Sequence, residues 1–118
     1  AMGGGASLIL FALDAAGLAK TTAFVTDGQL SGLCLKGLTV AEVSPEAAEE
    51  GAPIGLVRDG DTVRISVKNR RLDLDVPAEE LAKRTGPGLR TDATGYLRNF
   101  RESVRPMRTG GVLLPEKK

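Results

Sequence analysis

Residues 62–76 read Thr-Val-Arg-Ile-Ser-Val-Lys-Asn-Arg-Arg-Leu-Asp-Leu-Asp-Val, a stretch that leaves little choice besides a β-hairpin. Val63, Ile65 and Val67 alternate with Arg64, Ser66 and Lys68, and Leu72, Leu74 and Val76 alternate with Asp73 and Asp75. A period of two places the apolar side chains of both runs on one face of a pleated pair. Lys68-Asn69-Arg70 turns the chain, and the local basic run is read as a solvated hairpin tip rather than an anion site. Pro77 then opens a short helix over 77–83, with Glu79 and Glu80 in its first turn and Lys83 at its end, as the helix dipole favours.

The first half has a different rhythm. Leu8, Phe11, Ala12, Ala15 and Ala16 recur at helical spacing, with Ser7 as a candidate cap and Gly17 as the terminator, so a helix is expected over 7–16. Thr22 to Thr26 is β-branched and aromatic and predicts a buried strand, and Leu38 to Val43 predicts the next. Ser44-Pro45-Glu46-Ala47 has the signature of a helix start, with Ser44 as cap and Gly51 as closure. Ile54 to Val57 is read as a short strand. Residues 85–93 hold Gly86, Pro87 and Gly88 and predict an irregular connection. Tyr96, Leu97, Phe100 and Val104 form one helical stripe, read as core packing. Val112-Leu113-Leu114 is ambiguous, with a last edge strand as one reading, and residues 116–118 are expected to fray within a loose tail over 105–118. The pattern as a whole is mixed α/β, and 118 residues make one domain by length.

Composition closes several doors. There is one cysteine, Cys34, and no histidine. A disulfide within the chain is impossible, histidine general-base chemistry is excluded, and a zinc or iron–sulfur site built from this chain alone lacks its ligands. Cys34 is read as a half-buried small residue rather than a reactive thiol. Net charge is +1 with basic residues dispersed, so neither nucleic acid nor an acidic membrane surface is indicated. The apolar run Leu8 to Ala16 has no basic leader, contains Asp14, and is far shorter than the ~20 residues of a membrane span. A cytoplasmic setting is the expectation.

The stretch that carries chemistry is Thr26-Asp27-Gly28-Gln29-Leu30-Ser31-Gly32, at the carboxyl end of the first strand. Asp27-Gly28 suits a tight turn, because glycine tolerates positive φ, and Gly32 supplies a second permissive joint. Ser31 then offers a hydroxyl on a strand-end loop, the place where open sheets present ligand and catalytic groups. From pattern alone, a plain polar turn with no chemistry accounts for these residues as well.

The run TDGQLSG is followed by Lys36-Gly37-Leu38, Val43-Ser44-Pro45-Glu46-Ala47-Ala48, Gly51-Ala52-Pro53-Ile54 and Val57-Arg58-Asp59-Gly60-Asp61. Arg71-Leu72-Asp73-Leu74, Glu79-Glu80-Leu81-Ala82, Gly95-Tyr96-Leu97 and Gly110-Gly111-Val112-Leu113 come after. In that order and spacing, over roughly residues 8 to 114, the series resembles the C-terminal domain of the dihydroxy-acid dehydratase/phosphogluconate dehydratase family. The resemblance implies a swivelling β/β/α domain, a barrel-like mixed sheet flanked by short helices, that caps an active site. It implies dehydration of a 2,3-dihydroxy acid, a sugar acid or a branched-chain precursor, to a 2-keto acid. Ser31 would be the base, and Asp27, Gly28, Gln29, Gly32 and Lys36 would meet the substrate. An iron–sulfur cluster and Mg²⁺ would belong to the full-length enzyme, held largely by its N-terminal domain, with no cofactor bound by this domain alone. The implied partners are that N-terminal domain, the small acid, and further copies in a homo-oligomer.

The chain departs from the family pattern at four places, one of them Cys34, which lies where the common pattern has small polar residues. Gln29 stands where many members carry Arg. Met2-Gly3-Gly4-Gly5-Ala6 lacks the metal-binding Glu found there in many members, and Arg105-Pro106-Met107-Arg108 replaces a stretch that is usually small and serine-rich. The last departure favours a sugar-acid branch. Two other readings stay open: a non-catalytic, family-like module for association or small-acid binding, and a small subunit that completes a partner's active site.

Overall fold

The computed structural model describes residues 4–32, 34 and 36–114, so the fraying expected of residues 116–118 lies outside the described residues. The chain forms two compact units, one from residues 47–89 and one from residues 1–46 with 90–118. The strands make a parallel pair and an antiparallel pair. The barrel-like sheet expected above is corrected: among the described residues there are two two-stranded sheets and no closed barrel. Strands of three or four residues cannot supply the continuous ladder that closure requires.

The 47–89 unit contains the hairpin. In chain order within the protein its strands are β3 (Val63–Ser66) and β4 (Arg71–Leu74). They pair antiparallel with Val63 opposite Leu74 and Ile65 opposite Leu72, the register that the alternation demands. Arg70 turns the chain with φ of 51°, and Arg64 reaches Asp75 at 2.6 Å. A short helix, α3 (Ala78–Leu81), follows where Pro77-Ala78-Glu79-Glu80 predicts one.

Two local expectations fail in this half. Ile54 to Val57 is not a strand, because α2 (Pro53–Leu56) is a single helical turn with Pro at its start and Leu56 buried. Proline's fixed φ favours the first helical turn, and among the described residues no strand pairs with this segment. A Cβ at Gly55 would stand 2.5 Å from the Ala47 carbonyl oxygen, so that turn packs directly on backbone. Residues 47–51 form turns and a bend instead of the expected helix. So short a run is below the length at which helix propagation repays nucleation. Ser44 is not a cap: its Oγ lies 3.5 Å from Arg108 Nη1.

Arg84 ties this unit together. Its guanidinium donates to Asp61 Oδ2 at 2.5 Å and Oδ1 at 3.1 Å, to the Leu56 carbonyl at 3.0 Å, and to the Glu80 carboxylate. Arg58 N adds a further bond to Asp61 Oδ2 at 2.7 Å. The side chains of Arg84 and Asp61 are only 13% and 10% exposed, which separates this pair from the open surface pairs such as Arg90–Asp92. The Arg84 hydrogen bond, then the Arg58 backbone bond, hold the Asp61 carboxyl below its ordinary value of 3.8. A depressed folded-state value means that Asp61 stabilises the fold above the unfolded-state value, and that this contribution disappears as pH falls through the lower, folded-state value. Thermal unfolding of the chain should therefore lose stability as pH drops below ~4. Asp61→Asn should melt lower at pH 7 and show a shallower decline in acid. Equal acid slopes for the two proteins would count against this role.

The other unit opens with α1 (Gly4–Ala15). Its end is a six-to-one closure: Leu18 N donates to Leu13 O at 2.8 Å and Gly17 N to Asp14 O at 2.9 Å, with Gly17 at φ +74° as expected of the terminator. The helix starts earlier than expected, so Ser7 is not a cap but a buried residue in its second turn. Strands β1 (Ala23–Val25) and β2 (Leu38–Val40) pair in parallel, Phe24 opposite Thr39. Residues 41–43, expected to extend β2, leave the ladder, and Glu42 takes φ of 55°. The remaining helix, α4 (Gly95–Ser103), is amphipathic as predicted, but its stripe is not core: Tyr96 and Leu97 are exposed. The Tyr96 and Phe100 rings lie with their centroids 6.4 Å apart. A 3₁₀ turn (Met107–Thr109) and a bridge between Val104 and Leu113 fold the chain back, with Leu114 N donating to Ser103 O at 3.0 Å.

Candidate functional site

Two adjacent parallel strands need a connection of about a dozen residues to bring the chain back to the same end. Between β1 and β2 that connection is residues 26–37, so the loop carrying the TDGQLSG run is what lets these strands pair. Its base is fixed by backbone. Thr26 N donates to Val40 O at 2.9 Å, Val43 N to Thr26 O at 3.2 Å, and Glu42 N to Gly28 O at 3.0 Å. The departure of residues 41–43 from β2 is thus explained: they clasp the start of the loop.

The turn at Asp27-Gly28 is held from a residue not singled out in the sequence. Thr26 Oγ1 accepts from Gly28 N at 3.0 Å. Asp27 itself is half-buried, Gln29 is exposed, and Leu30 is half-buried. Ser31 lies on the surface of the loop with its backbone anchored on both sides: its N–H donates to Ser7 Oγ at 3.4 Å, and its carbonyl accepts from Cys34 N at 3.0 Å. Cys34 is half-buried. Lys36 pairs with Asp14 of α1 at 3.3 Å, both side chains open to solvent. The loop is therefore tied to α1 at two points, Ser7 and Asp14.

The glycines behave differently from the simplest expectation. Gly28 and Gly32 are not at positive φ; among the described residues of the loop it is Gly37 that is left-handed, at φ +68°. A Cβ on Gly32 would meet nothing within 4 Å, and one on Gly28 would make an ordinary contact of 3.4 Å with Thr26 Oγ1. A Cβ on Gly37 would stand 2.6 Å from the Ala19 carbonyl oxygen. The fold thus requires glycine at Gly37, whereas nothing in the described residues requires it at Gly32.

Ser7 is the residue that sequence reading missed in this role, since a mid-helix serine among apolar neighbours carries no local signal of a partner 24 positions away. Ser7→Ala removes the acceptor for the Ser31 N–H. The expected cost is about 1 kcal/mol in stability. Measured calorimetrically, an unchanged unfolding temperature would show that this hydroxyl does not hold the loop.

Among the described residues no group of three or more His, Cys, Asp or Glu is gathered. No helix among them is long and apolar enough to cross a membrane.

Residues 6–111 match the family model for the dihydroxy-acid/6-phosphogluconate dehydratase C-terminal domain. The chain belongs to this family. It is 49% identical over 105 residues to a dihydroxy-acid dehydratase of Pyrococcus furiosus, covering 86% of this chain and 18% of that relative. It is 42% identical over 104 residues to dihydroxy-acid dehydratase 1 of Methanosarcina acetivorans, with the same shares covered. A dihydroxy-acid dehydratase of Caldicellulosiruptor saccharolyticus matches at 42% over 105 residues, covering 86% of this chain and 19% of its own length. The chain thus spans just under a fifth of the curated relatives that it matches. The dehydratase C-terminal match takes in the whole of the Ser31 loop, both strands that carry it, and most of α1.

Proposed function

We propose that this chain is the C-terminal domain of a longer hydro-lyase that converts a 2,3-dihydroxy acid to a 2-keto acid, with Ser31 as the base that takes the proton from carbon 2. The observation that carries the reading is the loop itself: an exposed hydroxyl, held by backbone on either side, next to a glycine that the local packing does not require. A side chain missing where space is open leaves room for a molecule to come against the backbone.

In this reading Gly28 and Gly32 permit that close approach, and loop N–H groups face the anionic oxygens of the acid. Asp27 and Gln29 line the substrate, and Lys36 offers charge near its carboxylate while keeping Asp14 as its resting partner. The iron–sulfur cluster and Mg²⁺ of the full-length enzyme would be held outside this chain. The domain would move as a swivelling cap over the N-terminal domain in a cytoplasmic homo-oligomer, with the open Tyr96 and Phe100 of α4 suited to an oligomer contact. The relatives are named dihydroxy-acid dehydratases, so the substrate panel must hold simple dihydroxy acids beside sugar acids.

The test is 2-keto acid formation, measured anaerobically, by the complete polypeptide and by this chain alone. Turnover by the first and none by the second is the expected outcome. A complete polypeptide that is inert on every acid would sink the catalytic reading and favour a binding module. Activity restored only by a separately encoded protein would favour the small-subunit reading.

A further inference from the structure

Helix α1 has two apolar faces, and one of them is covered. Ser7 and Leu10 are buried, at 6% and 4% exposure, on the side that supports the Ser31 loop. The residues that form the regular stripe, Leu8, Phe11, Ala12 and Ala15, all face solvent. Leu8 is 70% exposed, Ile9 50% and Phe11 48%. An i, i+3, i+4, i+7 stripe of this kind is the pattern by which a helix seats against another element, and a helix that is apolar all round belongs in an interior. The buried side accounts for Leu10 but not for Leu8 and Phe11.

We infer that the Leu8–Phe11–Ala12–Ala15 face of α1 is the surface on which the N-terminal remainder of the polypeptide seats, fixing the Ser31 loop relative to that remainder. The inference rests on the proposed reading of a C-terminal domain within a longer enzyme. Three observations choose this occupant. The family match is to a C-terminal segment and begins at residue 6, inside α1. The relatives run on for more than four-fifths of their length outside the matched segment. A surface adjoining its own polypeptide link meets the tethered neighbour at ~mM effective concentration, which a second copy does not match at ordinary protein levels. The same helix carries Ser7, which accepts from Ser31 N–H, and Asp14, which holds Lys36. Whatever seats on the outer face of α1 therefore takes its register directly from the loop.

Hydroxyl-radical footprinting of the complete polypeptide, read by mass spectrometry, tests this without any substitution. Leu8 and Phe11 are expected to lose reactivity down to the rate of buried Leu10, at every protein concentration. Val67, 71% exposed on the hairpin, serves as the solvent-facing standard. Leu8 and Phe11 reacting as fast as Val67 would overturn the inference, as would protection that appears only as concentration rises, which marks a second copy. The mass of the polypeptide isolated from cells separates failure of the C-terminal-domain reading from failure of the seating surface. A mass near 12.3 kDa means that there is no longer chain, which defeats the C-terminal-domain reading and this inference with it. A large polypeptide with an exposed stripe defeats the seating surface alone. In the large polypeptide, Phe11→Glu is expected to raise the reactivity of Leu8 and Ile9 while leaving residues 63–74 unchanged; no rise at Leu8 would overturn the inference.

Discussion

Ser31→Ala in the complete polypeptide is expected to lower kcat by about 10³-fold or more while leaving folding intact, the loss typical of removing a group that moves a proton in the transition state. The Ser31 N–H donates to Ser7 Oγ and its carbonyl accepts from Cys34 N, and these two bonds survive the loss of the hydroxyl. The side chain is on the surface, so no cavity is created. The unfolding temperature should stay within ~2 °C of the parent, as for surface substitutions generally. A serine alkoxide is costly near neutral pH, so the hydroxyl needs positive charge or oriented N–H donors around it when substrate is bound. If kcat survives, Ser31 is not the base, and the loop is a binding element or an ordinary turn.

Gly37→Ala should be the most damaging of the loop substitutions to stability, and for a different reason. At φ +68° an alanine pays the left-handed conformational cost of about 1–2 kcal/mol. Its Cβ would also fall 2.6 Å from the carbonyl oxygen of Ala19, backbone that has no rotamer to change. Together these predict a loss of about 2–4 kcal/mol, seen as a drop in unfolding temperature of roughly 10 °C or more. The strain falls at the mouth of β2, beside Lys36 with its Asp14 partner and the Thr39 hydroxyl, which donates to the Lys36 carbonyl at 3.3 Å. Gly32→Ala makes the contrast. With nothing within 4 Å of the new methyl group it should melt like the parent, yet lose turnover if substrate approaches that backbone. An unfolding temperature unchanged by Gly37→Ala would show that the 18–21 turn yields easily. Full activity in Gly32→Ala would show that the substrate does not come to that side of the loop.

These pairs show how unevenly the site was legible. Ser31 and its flanking glycines stand out in the sequence because turn-formers and a hydroxyl cluster after a β-branched run. The importance of Gly37 does not stand out, since the atom it must avoid belongs to Ala19, in a turn eighteen residues earlier. Ser7 looks like a cap by local rules and is a support for the loop because the helix begins sooner and turns that hydroxyl inward. Likewise Ile54 to Val57 has the composition of a strand, and proline with a tight contact at Gly55 makes it a helical turn.

The sequence by itself determined the hairpin and its register, the amphipathic character of α4, the terminator of α1 and the place of the loop that joins β1 to β2. Each of these follows from interactions within a few residues: strand alternation, helical period, left-handed glycine and turn chemistry. Only the tertiary structure decided which apolar faces are covered. Period locates a stripe but says nothing about what it meets, so the Leu8–Ala15 and Tyr96–Val104 stripes look like core and are left largely open, while Arg84 and Asp61, charged residues that local rules assign to the surface, are the ones drawn inward. Burial is a property of what lies opposite, and that is settled between segments far apart in the chain.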